Sequence, residues 1–252
     1  MDKMIKNYVA LDLETTGLNP KLDKIIEIGA VKVLDGQKAD TFSTFVNPGR
    51  TLEKRVTELT GITDDMLKDA PVIEEVLPQL LVFLGELPLL GHNILFDFSF
   101  LKKAAANQKY PFEKEAIDTL KIARKYLAEL EHRNLEFLCE YYKIPHHAHR
   151  ALADAEAAGV LYEKLAEQFG TEEEKLFVPA RLQFAVKRDT PATKAQKERL
   201  YRLSEQHKIT LDVDVERLTR SEASRITDKI LAKSDKFRYN TLSEFVFVSR
   251  AE

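Results

Sequence analysis

Asp12-Leu13-Glu14-Thr15-Thr16-Gly17 follows the apolar run Tyr8 to Leu11 and ends in a glycine, which predicts a strand that runs into a turn. Successive side chains of a strand point to opposite faces, so Asp12 and Glu14 share one face. Two carboxylates so close repel each other, and a divalent cation between them removes the repulsion. Oxygen ligands of this kind suit Mg²⁺ or Mn²⁺. A solvated strand edge shows the same pattern, so the metal interpretation depends on the rest of the chain.

The composition indicates a globular protein without a membrane span. The chain has 252 residues, 44% of them hydrophobic, which is enough for one large domain and a small appendage. No run approaches the roughly 18 apolar residues of a membrane-spanning helix, and the start of the sequence has no apolar signal core. The single cysteine, Cys139, cannot form an internal disulfide, which is typical of a reducing compartment. We therefore expect a cytoplasmic protein.

The order of strand and helix patterns predicts an α/β fold. Three β-rich runs come first and suggest an antiparallel start, and short strand patterns then alternate with amphipathic helices. This order implies a mixed sheet with helices on its faces. The predicted strands are 8–12, 25–34, 41–46, 87–90 and 116–118, and the predicted helices are 72–84, 94–107, 119–126, 135–142 and 151–169.

The C-terminal part of the chain differs in charge. Residues 1–179 contain 22 Lys and Arg against 30 Asp and Glu, whereas residues 180–252 contain 16 against 11. We predict a main domain over 1–172, a linker over 173–192 and a small, mainly helical unit over 193–252. Two capping-box patterns, Thr193-x-x-Gln196 and Thr219-x-x-Glu222, each open a helix of this unit. The positive charge favours a polyanionic partner, although a solvated basic face has the same composition.

Aromatic residues near the end of the chain leave two interpretations open. Phe237-Arg238-Tyr239 and Phe245-Val246-Phe247-Val248 place rings in the basic part of the chain, which suits base stacking. Core packing or an added strand explains the same residues.

Two further carboxylates lie on apolar helix faces. Asp97 shares its face with Ile94 and Leu101, and Asp154 shares its face with Ala158. A buried ionised carboxylate needs a cation, a hydrogen-bond donor or a cleft, and bonding to backbone amides at a helix start is the simpler explanation. Taken with the two acids of the first strand, the set could instead hold two divalent ions. Such a pair, about 3.5–4 Å apart, stabilises the attacking and leaving oxygens of a displacement at phosphorus.

A histidine precedes the last of these acids. His149 lies five residues before Asp154, and on one helix the two would point about 140° apart, so His149 is expected in the loop ahead of the helix. From there it could lean over the metals and take a proton from water. An exposed loop of His146, His147 and His149, or a zinc site that these histidines form with Cys139, are the alternatives.

Three motifs resemble, in order and spacing, those of the DEDDh exonucleases, a family typified by the proofreading epsilon subunit of bacterial DNA polymerase III. The motifs are Asp12-x-Glu14-Thr15-Thr16-Gly17, Gly91-His92-Asn93-x-x-Phe96-Asp97-x-x-Phe100 and His149-x-x-x-x-Asp154. The resemblance implies a ribonuclease-H-like fold and 3′-to-5′ removal of nucleoside 5′-monophosphates by two-metal hydrolysis. By position, Asp12, Glu14, Asp97 and Asp154 would bind two Mg²⁺ or Mn²⁺ ions and His149 would be the general base.

The resemblance also implies a set of contacts with the terminal nucleotide. Its members are Thr15, Thr16, Gly17, Leu18, Asn93 and Phe96. Asp118 would support the site, and residues 59–63 resemble another segment of the family.

The leading hypothesis is a metal-dependent 3′-to-5′ exonuclease that acts on single-stranded or frayed nucleic acid, with DNA favoured. Its partners would be the 3′ end of single-stranded DNA or RNA and a DNA polymerase or another replication or repair protein. Three alternatives stay open: a polymerase-associated proofreading or binding module, an RNA-directed exonuclease of the same fold, and a nuclease that cuts internally.

Overall fold

The structure is a computed structural model that describes residues 4–146, 148–170, 174–211 and 213–237. In this part of the chain the strands are β1 (Tyr8–Thr15), β2 (Ile25–Leu34), β3 (Gln37–Phe45), β4 (Leu89–Gly91), β5 (Glu115–Asp118) and β6 (Ala180–Arg181). The helices are α1 (Lys54–Thr60), α2 (Asp64–Leu67), α3 (Ile73–Leu84), α4 (Leu95–Gln108), α5 (Thr119–Tyr126), α6 (Leu135–Tyr142), α7 (Ala151–Phe169), α8 (Lys194–His207) and α9 (Arg220–Phe237). Short 3-10 helices cover Glu174–Leu176 and Val215–Arg217.

The strands form a mixed sheet in the order β3-β2-β1-β4-β5-β6. The first three strands are antiparallel, β4 and β5 run parallel to β1, and β6 is antiparallel to β5. The predicted mixed sheet flanked by helices is therefore confirmed. The strand β1 is central, so the side chains at its end lie in the middle of the molecule's main unit.

The residues of β1 alternate between two hydrophobic cores. Val9, Leu11 and Leu13 pack with side chains of α3 and α4 in one core. Tyr8 and Ala10 belong to a second core with side chains of α5, α6 and α7. Asp12 and Glu14 follow Ala10 by two and by four residues. The same alternation therefore places their side chains on the α7 side of the sheet, with Tyr8 and Ala10. The predicted alternation of this strand is therefore observed.

A tight hairpin turn joins β2 and β3. Asp35 and Gly36 both have positive φ angles, 52° and 76°. Two such residues are typical of the type I′ turn that matches the twist of the flanking strands, and Asp-Gly is a favoured sequence for it. The third strand consequently begins at Gln37, earlier than the predicted start at residue 41.

The start of α7 lies directly on β2. A Cβ atom built on Gly29 would be 2.1 Å from both the Ala151 carbonyl carbon and the Leu152 amide nitrogen. Gly29 is also the pairing partner of Asp12 across β1 and β2. The absence of a side chain at position 29 therefore lets the first turn of α7 approach the end of β1.

The chain divides into two compact units. One contains residues 1–48 and 56–186, and the other contains residues 49–55 and 187–252. In the second unit α8 and α9 pack around a small core of Leu200, Leu203, Ala223 and Ile230. Both predicted capping boxes form, with Thr193 and Gln196 at the start of α8 and with Thr219 and Glu222 at the start of α9.

The predicted boundaries at residues 172 and 192 stay a prediction. Of the two aromatic segments near the C-terminus, residues 238–239 and 245–248 lie outside the described residues, and so does the side chain of Phe237. In the described part of the chain, no helix has the length and apolar character needed to cross a membrane.

Candidate active site

Three carboxylates meet at the end of the central strand. One ligand oxygen from each of Asp12, Glu14 and Asp154 lies within 4.8 Å of the others. Asp12 and Glu14 come from one face of β1, and Asp154 comes from the first turn of α7. The contact between Gly29 and the start of α7 brings these two elements together. The structure thus assembles three of the four acids that the sequence predicted as metal ligands.

The fourth acid, Asp97, contacts the same strand from α4. Its side chain is buried, with 3% of the residue exposed. The Oδ1 atom accepts a hydrogen bond from the Leu13 backbone amide at 3.0 Å. Asp97 therefore lies against the strand between Asp12 and Glu14, and electrostatic repulsion couples it to Asp12.

Burial and nearby carboxylates shift the pKa values of Asp12, Glu14 and Asp97. Burial raises the pKa of Asp12 well above its ordinary value, and repulsion from Asp97 and Asp154 raises it further. Burial also raises the pKa of Asp97, against the lowering effect of its backbone hydrogen bonds. The pKa of Glu14 rises from 4.5 to about 7, first through burial and then through the charges of Asp154 and Glu27. Burial and mutual repulsion therefore disfavour the ionised forms of these carboxyl groups, and a bound cation would favour them.

The donor set of the site fits divalent metal ions. Three carboxylate oxygens converge, and such oxygens are the hard ligands that these ions prefer. Asp12, Glu14 and Asp154 would hold an ion, whereas Asp97 lies against the same strand and is not one of these three converging acids. No thiol belongs to this set.

Two histidines of the loop before α7 occupy different positions. His146 contacts an oxygen of Asp154 through Nε2, and only 7% of its side chain is exposed. His149 has a left-handed backbone with φ of 64° and is half-buried. Within the described residues its side chain makes no hydrogen bond or ion pair. His147 lies outside the described residues. This contact of His146 with Asp154 was not predicted, because a spacing of eight residues gives no signal of proximity.

The predicted nucleotide contacts of residues 15–18 lie on the turn that follows β1. The Thr15 hydroxyl donates to the Gly17 carbonyl at 2.7 Å, and the buried Thr16 hydroxyl accepts from the Lys24 amide at 3.0 Å. A side chain on Gly17 would collide with the Asp23 carboxylate, 2.6 Å away. These contacts fix the turn and leave the Leu18 side chain at its tip, with 85% of the residue exposed.

The other two predicted contacts lie at the end of β4 and the start of α4. Asn93 has a left-handed backbone with φ of 71°, and its amide donates to the Asp118 carboxylate at 2.9 Å. The same Asp118 oxygen accepts from the Leu120 amide and so caps α5. Phe96 packs against Phe100 with ring centroids 5.0 Å apart. Asp118 therefore supports the backbone of Asn93, and it does so from the end of the neighbouring strand.

A further pair of residues beside the site was missed by sequence reasoning. Glu27 of β2 is buried, with 2% exposed, and Arg150 binds its carboxylate through Nη2 at 2.9 Å. The signal was present, because Glu27 is the one acid in the apolar strand Ile25–Leu34 and faces Glu14 in the pairing. A charged residue in a strand that is otherwise apolar is expected to be buried, so it needs a partner of opposite charge or a hydrogen-bond donor.

The sequence profile of the RNase_T family, described as exonuclease, matches residues 9–162 of the chain. The chain belongs to this exonuclease family. The matched region contains Asp12, Glu14, Asp97 and Asp154, and the resemblance inferred from the three motifs is confirmed. The exonuclease assignment also makes the chain an enzyme that hydrolyses phosphodiester bonds.

Curated relatives of this exonuclease chain are PolC-type DNA polymerase III proteins. It is 44% identical over 163 residues to the one from Caldanaerobacter subterraneus subsp. tengcongensis, covering 64% of this chain and 12% of the relative. It is 42% identical over 151 residues to the one from Clostridium perfringens, covering 60% of this chain and 10% of the relative. The exonuclease chain thus spans about a tenth of the length of these relatives.

Solved exonucleases share the fold. Exonuclease X in complex with 5′ overhanging duplex DNA is 26% identical, with a TM-score of 0.54, over 68% of this chain and 99% of that one. E. coli Exonuclease I in complex with a dA16 oligonucleotide is 20% identical, with a TM-score of 0.58, over 69% of this chain and 42% of that one. The predicted ribonuclease-H-like fold of the exonuclease unit is confirmed.

Proposed function

We propose that the chain is a 3′-to-5′ exonuclease that releases nucleoside 5′-monophosphates from single-stranded or frayed nucleic acid, with DNA favoured. The convergence of Asp12, Glu14 and Asp154 carries this proposal, because three carboxylates within 4.8 Å suit the binding of divalent cations. Two Mg²⁺ or Mn²⁺ ions would be held, with Asp97 completing the ligand set. Such ions supply Lewis-acid stabilisation of the attacking and leaving oxygens.

A histidine near the acids is proposed to take part in proton transfer. His149 is proposed as the general base that takes a proton from the attacking water, since it lies in the loop ahead of α7 and its side chain makes no hydrogen bond within the described residues. Water attacks the terminal phosphodiester, the bond to the 3′ oxygen of the preceding nucleotide breaks, and that oxygen receives a proton. The products are a nucleoside 5′-monophosphate and a strand with a new 3′ hydroxyl.

The turn after β1 is proposed to bind the terminal nucleotide. Leu18 extends into solvent from a turn that Thr15, Thr16 and Gly17 keep rigid, so it can pack on a base with little loss of conformational freedom. Asn93 and Phe96 would border the same nucleotide from the other side of the carboxylates. A free 3′ end is required by this arrangement, which separates it from internal cleavage.

A replication role is proposed from the PolC-type relatives, with a DNA polymerase as the partner and the cytoplasm as the location. The similar exonuclease X was solved in complex with 5′ overhanging duplex DNA, which favours DNA over RNA as the substrate here. A binding module without activity of its own is the second candidate function. It predicts a stable complex with a polymerase and no hydrolysis by the isolated chain.

Digestion of matched DNA and RNA oligonucleotides tests the proposal. Substrates labelled at the 5′ end, with a free or a blocked 3′ end, are incubated with Mg²⁺, with Mn²⁺ or with EDTA. We expect a ladder that shortens from the free 3′ end, mononucleotide products, faster loss of DNA than of RNA, and no reaction in EDTA. Equal cutting of circular and linear strands would contradict an exonuclease that needs an end. Asp12→Asn is the matched inactive control.

The basic helical unit is proposed to add phosphate attraction. Arg199 and Arg202 are exposed on α8 and lie one turn apart. Each phosphate contact on a single strand adds about −0.7 to the slope of log affinity against log salt. We expect the double charge reversal Arg199→Glu and Arg202→Glu to flatten this slope by about 1.4, measured by fluorescence anisotropy with a labelled oligonucleotide in EDTA. An unchanged slope would contradict a contact of this unit with phosphate and would favour a protein as its partner.

A further inference from the structure

Glu27 is a buried carboxylate near the site, but it is not one of the three converging acids, so metal binding does not explain why a charged residue is buried there. It lies on β2 directly opposite Glu14 of β1, and 2% of it is exposed. Like charges that face each other across two strands destabilise a sheet. Its charge also adds to the repulsion on Asp12 and Glu14. Because this repulsion destabilises the folded protein, Glu27 needs an interaction that compensates for it.

Both oxygens of Glu27 are bound by the start of α7. Oε1 accepts from Nη2 of Arg150 at 2.9 Å and from Nε at 3.2 Å. Oε2 accepts from the backbone amide of Ala151, the first residue of the helix, at 3.2 Å. The amides of the first helical turn have no partner within the helix, so this bond satisfies one of them. The other two are charge-assisted contacts, which are stronger than neutral ones.

These contacts fix the part of α7 that carries Asp154. The Asp154 amide donates to the Arg150 carbonyl at 3.0 Å, so Asp154 is one helical turn from the residue that Glu27 binds. Gly29, two residues along the same strand, is in direct backbone contact with Ala151 and Leu152. Arg150 also lies over the Phe45 ring, with its guanidinium carbon 5.3 Å from the ring centroid. The first turn of α7 is thereby held against β2 and β3 at several points.

We propose that Glu27 is a positioning residue of the exonuclease: by binding Arg150 and Ala151 it sets the distance from Asp154 to Asp12 and Glu14 that metal binding requires. This inference rests on the proposed metal-dependent function. Glu27 acts through the helix start and not as a ligand, because Arg150 and Ala151 already occupy both of its oxygens.

The chain offers a matched control for the positioning role. Lys38 of β3 and Glu156 of α7 form another ion pair between the sheet and the same helix. This pair is exposed, with 57% and 43% of the two side chains accessible, and Glu156 is not among the converging acids. Glu156→Gln therefore removes a contact that docks α7 and leaves the helix start untouched.

The test measures Mn²⁺ binding separately from activity. Wild type, Glu27→Gln, Glu27→Ala and Glu156→Gln are titrated with Mn²⁺, and the free ion is followed by electron paramagnetic resonance. The same proteins are assayed for kcat and KM on a 3′-end substrate across a range of Mg²⁺ concentrations. Unfolding midpoints in EDTA show which variants are folded at the assay temperature.

We expect Glu27→Ala to weaken Mn²⁺ binding by about tenfold or more, as is typical for partners that orient metal ligands. Glu27→Gln keeps one oxygen acceptor and the side-chain volume, so its loss should be smaller, and Glu156→Gln should stay within about twofold of wild type, as a surface ion pair does. The nuclease defect should be in kcat, with KM little changed, and high Mn²⁺ should partly restore it.

Mn²⁺ affinity within twofold of wild type in a folded Glu27→Ala protein would overturn the positioning role. Equal losses in Glu27→Gln and Glu156→Gln would also overturn it, because general docking of α7 would then be the cause. If Glu27→Ala does not fold, Glu27→Gln decides by the same criterion. If the wild-type protein binds Mn²⁺ but degrades no nucleic acid, only the proposed function is contradicted. The Mn²⁺ affinities of the variants would still test the positioning role of Glu27.

Discussion

The Asp97 carboxylate accepts the hydrogen bond from the Leu13 backbone amide that a neighbouring strand would otherwise accept. The parallel strand β4 pairs with β1 only at Val9 and Ala10, and beyond this point the Leu13 amide donates to Asp97 Oδ1 at 3.0 Å. Backbone amides in a protein interior need an acceptor. The same side chain thus continues the pairing of β1 and brings a fourth carboxyl group to the position between Asp12 and Glu14.

The two roles of Asp97 can be separated by substitution. Asp97→Asn keeps an oxygen that can accept from Leu13, so we expect a stability at least equal to that of wild type. Asp97→Ala leaves the amide without this partner and should cost about 1–3 kcal/mol of unfolding free energy. Both should lose about 10²- to 10³-fold in kcat, the size of one preorganised electrostatic contribution. Urea unfolding and the 3′-end assay measure the two effects, and equal stability of the variants would contradict the structural role.

The two histidines should differ in their effects on activity. His149→Ala removes the proposed general base, and we expect kcat to fall by about 10²- to 10⁴-fold. His146 contacts Asp154 in the protein without metal, so His146→Ala takes away a competing partner of a ligand and should change kcat by less than about tenfold. Single-turnover assays at saturating Mg²⁺ compare the two. The reverse order would assign the proton transfer to His146.

Glu14 should make the stability of the metal-free protein depend on pH. Its pKa is raised from 4.5 to about 7, so between these pH values the folded state binds more protons than the unfolded state. The stabilisation from this group is complete below pH 4.5 and is lost as the pH rises through 7. We expect Glu14→Gln to gain stability relative to wild type between pH 5 and pH 8 in EDTA, as measured by unfolding midpoints. Saturating Mg²⁺ should remove most of this difference, and a pH-independent difference would contradict it.

Gly29 should be sensitive to the addition of one methyl group. A Cβ at this position would lie 2.1 Å from the backbone of Ala151, which cannot yield without moving α7. We expect Gly29→Ala to cost about 1–3 kcal/mol of stability and Asp154 to shift enough to lower kcat by about 100-fold. Gly159→Ala in the same helix is the control, because its Cβ would be 3.4 Å from the Tyr8 hydroxyl, the nearest atom. The control should be neutral or gain up to about 1 kcal/mol from helix propensity.

Leu18 should affect substrate binding without affecting the fold. The residue is 85% exposed, so Leu18→Ala removes no buried packing and should leave the unfolding midpoint unchanged. Packing of the side chain on a base contributes about 1 kcal/mol, which predicts a KM about fivefold higher on single strands. Val82→Ala on α3 is the control, since Val82 is 82% exposed on an ordinary helix surface. A fivefold effect of the control, or none of Leu18→Ala, would exclude this role.

Local patterns predicted most elements of the exonuclease unit. The helices 119–126, 135–142 and 151–169 have the predicted bounds, because each has a strong apolar periodicity. The start of β3 was predicted too late, since Gln37, Lys38 and Asp40 are exposed on an edge strand and give no apolar signal. The short helices α1 and α2 were not predicted, because four to seven residues show too little periodicity.

The candidate site was predictable where chemistry and spacing occurred together. The acids of β1 and α7 were found because charged residues interrupt apolar patterns, and the structure brings them together. Glu27 and Arg150 were missed because they are 123 positions apart and only tertiary packing joins them. The contact of His146 with Asp154 was missed because loop conformation, and not periodicity, decides which of several nearby histidines reaches a carboxylate.

The clamp between Glu27 and the start of α7 joins residues separated by 124 positions. During synthesis the hairpin that contains Glu27 emerges long before the helix that contains Asp154, so the nascent polypeptide holds only part of the metal-binding set. Long-range contacts of this kind also slow folding, because a large loop must close before they form. The full set of converging acids therefore forms only after α7 has been synthesised and has docked against β2.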